Sequence, residues 1–166
     1  MLPDSDLQLL SGRRCLVTGG TGMIGRQAVR LLCDAGARVR IVSLDRLTVD
    51  PRAEHVVADL TDFPRCLDLA SGMDYVVHVA GIKGSVEVTK AKPASFFVPL
   101  LQMNTNMLEA ARRCGVRRVV YTSSIGAYPP AEVFEERMGM DGPPMDLFPG
   151  WAKRMAELQV EAYRIQ

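Results

Sequence analysis

Residues 14–25 read Arg14-Cys15-Leu16-Val17-Thr18-Gly19-Gly20-Thr21-Gly22-Met23-Ile24-Gly25, and this stretch decides the fold. A short, apolar, β-branched run meets a glycine-rich turn, and apolar residues at helical spacing follow at Ile24, Ala28, Leu31, Leu32 and Ala35. The order predicts strand, turn, helix. In such a corner the first glycine permits a tight turn, the second lets backbone approach a diphosphate, and the third brings the helix close to the strand. Free N–H groups at the helix start face the anion. Gly19, Gly22, Met23, Ile24 and Gly25 are therefore candidate dinucleotide-binding residues. The plainer alternative is a glycine-rich turn that holds no ligand, and the flanking strand and helix weigh against it.

Working outward, Gly36 suits the left-handed residue that closes this helix, and Val39 to Leu44 supplies a second strand ending at Asp45. Further strands are predicted at His55 to Ala58, Tyr75 to Val79 and Arg118 to Thr122, their continuous apolar character implying burial on both faces. A long helix carries the stripe Met103, Met107, Ala110, Ala111 and Cys114 and stops at Gly115. A last helix starts near Gly150 with Trp151, Met155, Leu158, Ala162 and Ile165 on one side, a stripe that could serve core or partner. The alternation predicts an α/β class, Rossmann-like, doubly wound parallel sheet of order 3-2-1-4-5, with ligand beyond the carboxyl ends of the strands. Residues 1–166 form one such domain. Two stretches interrupt the pattern, Lys83 to Pro99 and Ala131 to Pro149, each just after a strand end.

Composition narrows the class. The chain has 166 residues, 48% of them hydrophobic, and 20 basic against 19 acidic side chains leave a net charge of +1. Such a balance gives no field that recommends nucleic acid or an anionic membrane as partner. Cys15, Cys33, Cys66 and Cys114 lack metal-ligand spacing and read as buried thiols in a reducing compartment. The acidic start, Met1 to Asp6, and the absence of any apolar run near the roughly 20 residues of a membrane span predict a cytoplasmic protein.

Asp45 stands twenty residues after Gly25, where a carboxylate can accept from both hydroxyls of an adenosine ribose. That favours NAD over NADP, although the neighbouring Arg46 keeps NADP open; an ordinary turn aspartate is the alternative. Asp59 and Leu60 could contact an adenine edge, or Asp59 could cap the following helix. Val79, Ala80 and Gly81 are small enough to let a dinucleotide lie against backbone. His78 reads as a core histidine rather than a catalyst, since alternation turns it away from its neighbours' faces. Ser124, after the fifth strand, could hydrogen-bond a substrate oxygen during hydride transfer, or simply terminate the strand. Lys153 could hold nicotinamide ribose hydroxyls, or be a solvated helix lysine.

Taken together, Val17-Thr18-Gly-Gly-Thr-Gly-Met-Ile-Gly25, Asp45, Asp59-Leu60, His78-Val-Ala-Gly81, Thr122-Ser-Ser-Ile-Gly-Ala-Tyr128-Pro129 and Ala152-Lys153-Arg-Met-Ala-Glu157 resemble the extended short-chain dehydrogenase/reductases, the NAD-dependent epimerase/dehydratase family. The resemblance implies a Rossmann domain followed by a smaller sugar-nucleotide domain that this chain would lack together with the C-terminal strands. It also implies epimerisation, dehydration or reduction of a nucleotide sugar, and a homodimer paired through long helices. Within the family, Gly81 to Ser85, Lys92 to Phe96 and the Ser…Tyr-Pro ending are most similar to the GDP-fucose synthases, which differ in carrying a cysteine at the position of Gly126 and a ribose site suited to NADP. By position, Ser124 would polarise substrate and Lys153 would bind ribose. The family's catalytic tyrosine, four residues before the lysine, is Pro149 here, and an active-site asparagine of the long helix is Leu100. Proline in a first helical turn is also simply a good helix start. The alternative function is a non-catalytic dinucleotide-binding or redox-sensing protein.

Overall fold

The predicted first strand is β1, Arg14–Thr18, of which only Arg14 reaches solvent. It leads through the glycine turn into α1, Met23–Asp34, then β2, Arg38–Ser43, and β3, Glu54–Val57. There follow α2, Phe63–Ala70, β4, Tyr75–His78, α3, Val86–Ala91, α4, Ala94–Arg113, β5, Arg118–Tyr121, and α5, Leu147–Ile165. The computed structural model describes residues 8–166, and the acidic opening Met1 to Asp6 lies outside them. The sheet is five-stranded and wholly parallel, in the predicted order β3-β2-β1-β4-β5. Thr18 pairs with Val42 on one side and His78 on the other, so the carboxyl ends of β2, β1 and β4 lie level. Because the chain leaves β1 toward β2 and later returns to its other flank as β4, the crevice opens at the end of β1.

The two-residue period of β1 builds a core on each sheet face. Leu16 joins Val76, Leu69, Met103, Met107 and Ala152 on one, and Val17 joins Val29, Cys33, Val39 and Ile41 on the other. Gly36, at φ +76°, turns the chain out of α1. Burial on both faces holds for the strands of the middle. The outer strands β3 and β5 are half-exposed, because each has a neighbour on one side only.

Three expectations need correction. On α1 the buried face is Gly25, Val29 and Cys33, whereas Ile24 and Leu31 point outward; the third glycine lets the helix settle on the sheet and sets its rotation. Between Lys83 and Pro99 the chain is largely helical: Ser85 caps α3 by accepting from Val88 N–H, and Pro99 sits inside α4. Finally, α5 begins at Leu147 rather than Gly150 and presents Ala152 and Ala156 to α4, leaving Met155, Leu158, Ala162 and Ile165 exposed. Small alanines permit the closer approach, in which Gln159 donates to Thr105 Oγ1 (3.0 Å) and Tyr163 to Glu109 Oε2 (2.9 Å). Burial thus removes the core reading of that stripe.

Burial pushes the Cys15 thiol up to about 11 and the Cys66 thiol up to about 12, and it raises Cys33 as well. Cys114 is half-buried. Since the thiolate is the nucleophile, brief alkylation of the native protein is expected to label Cys114 alone, with the other three labelled only after denaturation. Mass spectrometry of the digested adduct reads the result. Among the described residues no helix is long and apolar enough to cross a membrane.

Candidate cofactor-binding site

At the end of β1 the backbone turns so sharply that Gly19 adopts φ +65°, and a Cβ there would lie 2.8 Å from Ala80 Cα. The first turn is therefore pressed against the end of β4. Gly25 is equally constrained, because a Cβ would strike the Gly19 carbonyl oxygen. Gly22 differs. It is the N-cap of α1 at φ −72°, and the nearest atom a Cβ would meet is Gly19 O at 3.3 Å. Its missing side chain is demanded by the protein's own packing far less than those of Gly19 and Gly25. It leaves the start of a twelve-residue helix with no capping side chain and no acidic residue in the first turn, an opening that a phosphate fits. Met23 and Ile24, the first two helical residues, are exposed beside it.

The tip of β2 brings Asp45 to this corner. Its Oδ2 accepts from Thr21 Oγ1 (2.9 Å) and its Oδ1 from Leu47 N–H (3.0 Å). The Leu47 amide foremost, then the Thr21 hydroxyl, hold the carboxyl below the usual range. Ser43 Oγ donates to Asp45 O (2.9 Å) and lies 2.7 Å from His55 Nε2, so it accepts from a proton on that nitrogen. Arg26 Nη2 donates to Thr21 O (2.7 Å). Each Asp45 oxygen keeps lone-pair capacity for a ribose hydroxyl. Asp59 accepts from Thr61 N–H (2.9 Å), and the cap of α2 is Asp62, so the capping alternative for Asp59 passes to its neighbour. The Leu60 side chain packs into the core.

At the end of β4, Val79, Ala80 and Gly81 run beside the glycine turn, and Ala80 N–H donates to Thr18 Oγ1 (3.1 Å). That leaves the Thr18 hydroxyl proton for His78 Nδ1 (2.7 Å). His78 Nε2–H then donates to Asn104 Oδ1 (3.0 Å), and Asn104 Nδ2 donates to the Tyr121 hydroxyl (3.1 Å). His78 is wholly buried, and its lowered pKa, about 4, follows from desolvation. It is a satisfied core histidine. The sequence reading missed Asn104, which lies one turn after Leu100 as a polar residue within an apolar stripe.

Ser124 and Lys153 converge at the end of β5. Ser124 Oγ accepts from Gly126 N–H (3.2 Å), which keeps its own proton for donation. Lys153, on α5, donates to Thr122 O (2.8 Å) and lies 4.8 Å from the Tyr121 ring centroid. Burial lowers its pKa, Glu157 opposes the shift, and Lys83 adds to it. Pro149 is the third residue of α5 and Leu100 is buried in the core, so neither position supplies a polar group. A second missed residue, Arg154, is 3% exposed. Its guanidinium donates to Ala127 O (2.6 Å) and Gly142 O and ties the two ends of the loop before α5.

A sequence model of the NAD dependent epimerase/dehydratase family matches residues 15–166. The chain belongs to that family. A 3 beta-hydroxysteroid dehydrogenase/Delta 5-->4-isomerase of Mycobacterium tuberculosis is 38% identical over 118 residues, covering 67% of this chain and 31% of that protein. Among solved structures, an epimerase from Methanothermobacter thermautotrophicus superposes with a TM-score of 0.81 at 25% identity, covering 97% of this chain and 50% of that one. MoeE5 in complex with UDP-glucose and NAD gives 0.78 at 28% identity, covering 92% and 50%. The chain thus spans about a third of that curated relative and half of these structures. NAD is the cofactor of this family, and an uncapped helix start beside a tethered carboxylate fits it.

Proposed function

We propose that the chain is the dinucleotide-binding domain of a cytoplasmic NAD-dependent enzyme that epimerises, dehydrates or reduces a nucleotide sugar, and that copies pair through α4 and the outward stripe of α5. The observation that carries this reading is the open start of α1 at Gly22 beside the fixed carboxylate of Asp45. Gly19, Gly22, Met23, Ile24 and Gly25 take the diphosphate, Asp45 the adenosine ribose, Asp59 and the backbone of Leu60 the adenine edge, and Val79, Ala80 and Gly81 the dinucleotide's flank. NAD, when bound, accepts or returns a hydride. Ser124 donates to the substrate oxygen, and Lys153 offers its remaining N–H groups to the nicotinamide ribose. The 38% identity to a hydroxysteroid dehydrogenase favours one further reading, in which a sterol alcohol replaces the sugar.

Both readings place a secondary alcohol or ketone at Ser124, and position 149 supplies no phenol to move the proton. Pro149 lies in the first turn of α5, where its missing N–H costs nothing, so Pro149→Tyr would place a hydroxyl one helical turn before Lys153 without breaking the helix. Calorimetry with NAD and NADP tests the cofactor half, and absence of binding by either overturns it. NADH formation over a panel of nucleotide sugars and hydroxysteroids tests the rest. Pro149→Tyr is expected to raise turnover of the accepted class by about a hundredfold, within the usual range for general acid–base catalysis. Turnover by neither protein would leave a binding or sensing role.

A further inference from the structure

The ribose corner is held by contacts that cross to Asp45 from the glycine turn and from the chain after β2. Thr21 is 8% exposed and lies in the glycine turn between Gly20 and Gly22. Its hydroxyl reaches across from the glycine turn to Asp45 Oδ2 (2.9 Å), while its carbonyl is gripped by Arg26 Nη2 (2.7 Å). With Leu47 N–H on Oδ1, both oxygens of the carboxylate are tethered, which fixes its plane. Arg26 Nε is buried without a partner, and the positive charge of Arg26 acts on the Asp45 carboxylate.

We infer that Thr21 is a specificity-determining positioning residue, whose hydroxyl fixes the Asp45 carboxylate so that the corner takes an adenosine with free ribose hydroxyls and turns away one bearing a 2′-phosphate. This rests on the reading of the corner as a dinucleotide site. An anchored carboxylate presents its lone pairs to two hydroxyls and repels a phosphate dianion. Without the Thr21 hydroxyl only Leu47 N–H holds the carboxylate, and the released oxygen can turn toward Arg26, which weakens its hold on ribose and its repulsion of a 2′-phosphate. Thr21 acts through Asp45.

Thr21→Val tests this, because valine keeps the β-branched shape and removes only the hydroxyl; Thr21 has no positive φ that valine would strain. Affinities for NAD and NADP are measured by calorimetry on the chain and on Thr21→Val, Thr21→Ser, Asp45→Asn and the Thr21→Val/Asp45→Asn pair. Thr21→Val is expected to lower the preference for NAD over NADP about tenfold, the effect of roughly one hydrogen bond to a charged group. Thr21→Ser should restore it, and Thr21→Val should add nothing once Asp45 is asparagine. An unchanged ratio overturns the inference, whether Thr21→Val leaves both affinities alone or lowers them together. If the unaltered chain binds neither dinucleotide, the cofactor reading itself falls, and this result is distinct from the others.

Discussion

Gly25→Val is expected to destabilise the chain by about 3 kcal/mol or more and to abolish NAD binding, since adding bulk to a closed contact strains the backbone itself. The Cβ would meet the carbonyl oxygen of Gly19, and the next atoms behind it are Gly20 Cα and Gly19 C, all backbone. No side chain can rotate away. Relief requires lifting α1 from the sheet, which also separates Val29 and Cys33 from Val17, Val39 and Ile41. Gly22→Ala provides the contrast. Its backbone is already in a region open to alanine, and the crowding atom is at 3.3 Å, so stability should fall by no more than about 1 kcal/mol, the usual scale for an N-cap exchange. Its methyl group nevertheless occupies the space a diphosphate would approach, and NAD affinity should fall by more than about tenfold. Urea denaturation and calorimetry read the two quantities separately. Equal losses of stability in the two variants would refute the division between a packing glycine and a binding glycine.

The glycine corner was legible in the sequence because a turn, a strand and a helix each leave a local signature, and the three glycines fall between them. Strand order was legible for the same reason, as parallel strands joined by helices admit few arrangements. The rotation of α1 and the buried face of α5 were not. Both depend on how closely a helix approaches its neighbour, which Gly25, Ala152 and Ala156 determine through what they lack. A count of apolar residues instead selects Ile24, Leu31, Met155 and Leu158, which are exposed. The partner network at the site was also hidden. Thr21, Asn104 and Arg154 act through contacts 24, 26 and 27 residues away or between separate elements, and no spacing rule in the chain announces them.

His78→Leu is expected to cost about 3 kcal/mol at neutral pH, because it leaves the Asn104 carbonyl and the Thr18 hydroxyl buried without their partner. Acid should uncover a second consequence of the same side chain. His78 is neutral in the fold, with its pKa lowered to about 4 from 6.5 by burial, while Asn104 pulls the other way. Folded His78 therefore resists a proton that the unfolded chain accepts, so the stability it protects is present above about pH 6.5 and is lost as pH falls toward about 4. Between about pH 7 and pH 5 the loss should be about 2 kcal/mol. Carboxylates such as Asp50 and Glu109 have lowered values and begin to lose stability only as the pH falls into the unfolded carboxylate range, below that window. His78→Gln keeps an amide donor and acceptor but cannot take up the charge. Urea unfolding of the unaltered chain should show this slope, and His78→Gln should be flatter by the same amount. Parallel profiles for the two proteins would mean that folded His78 takes up its proton at the same pH as the unfolded chain, and burial would then not be what keeps it neutral.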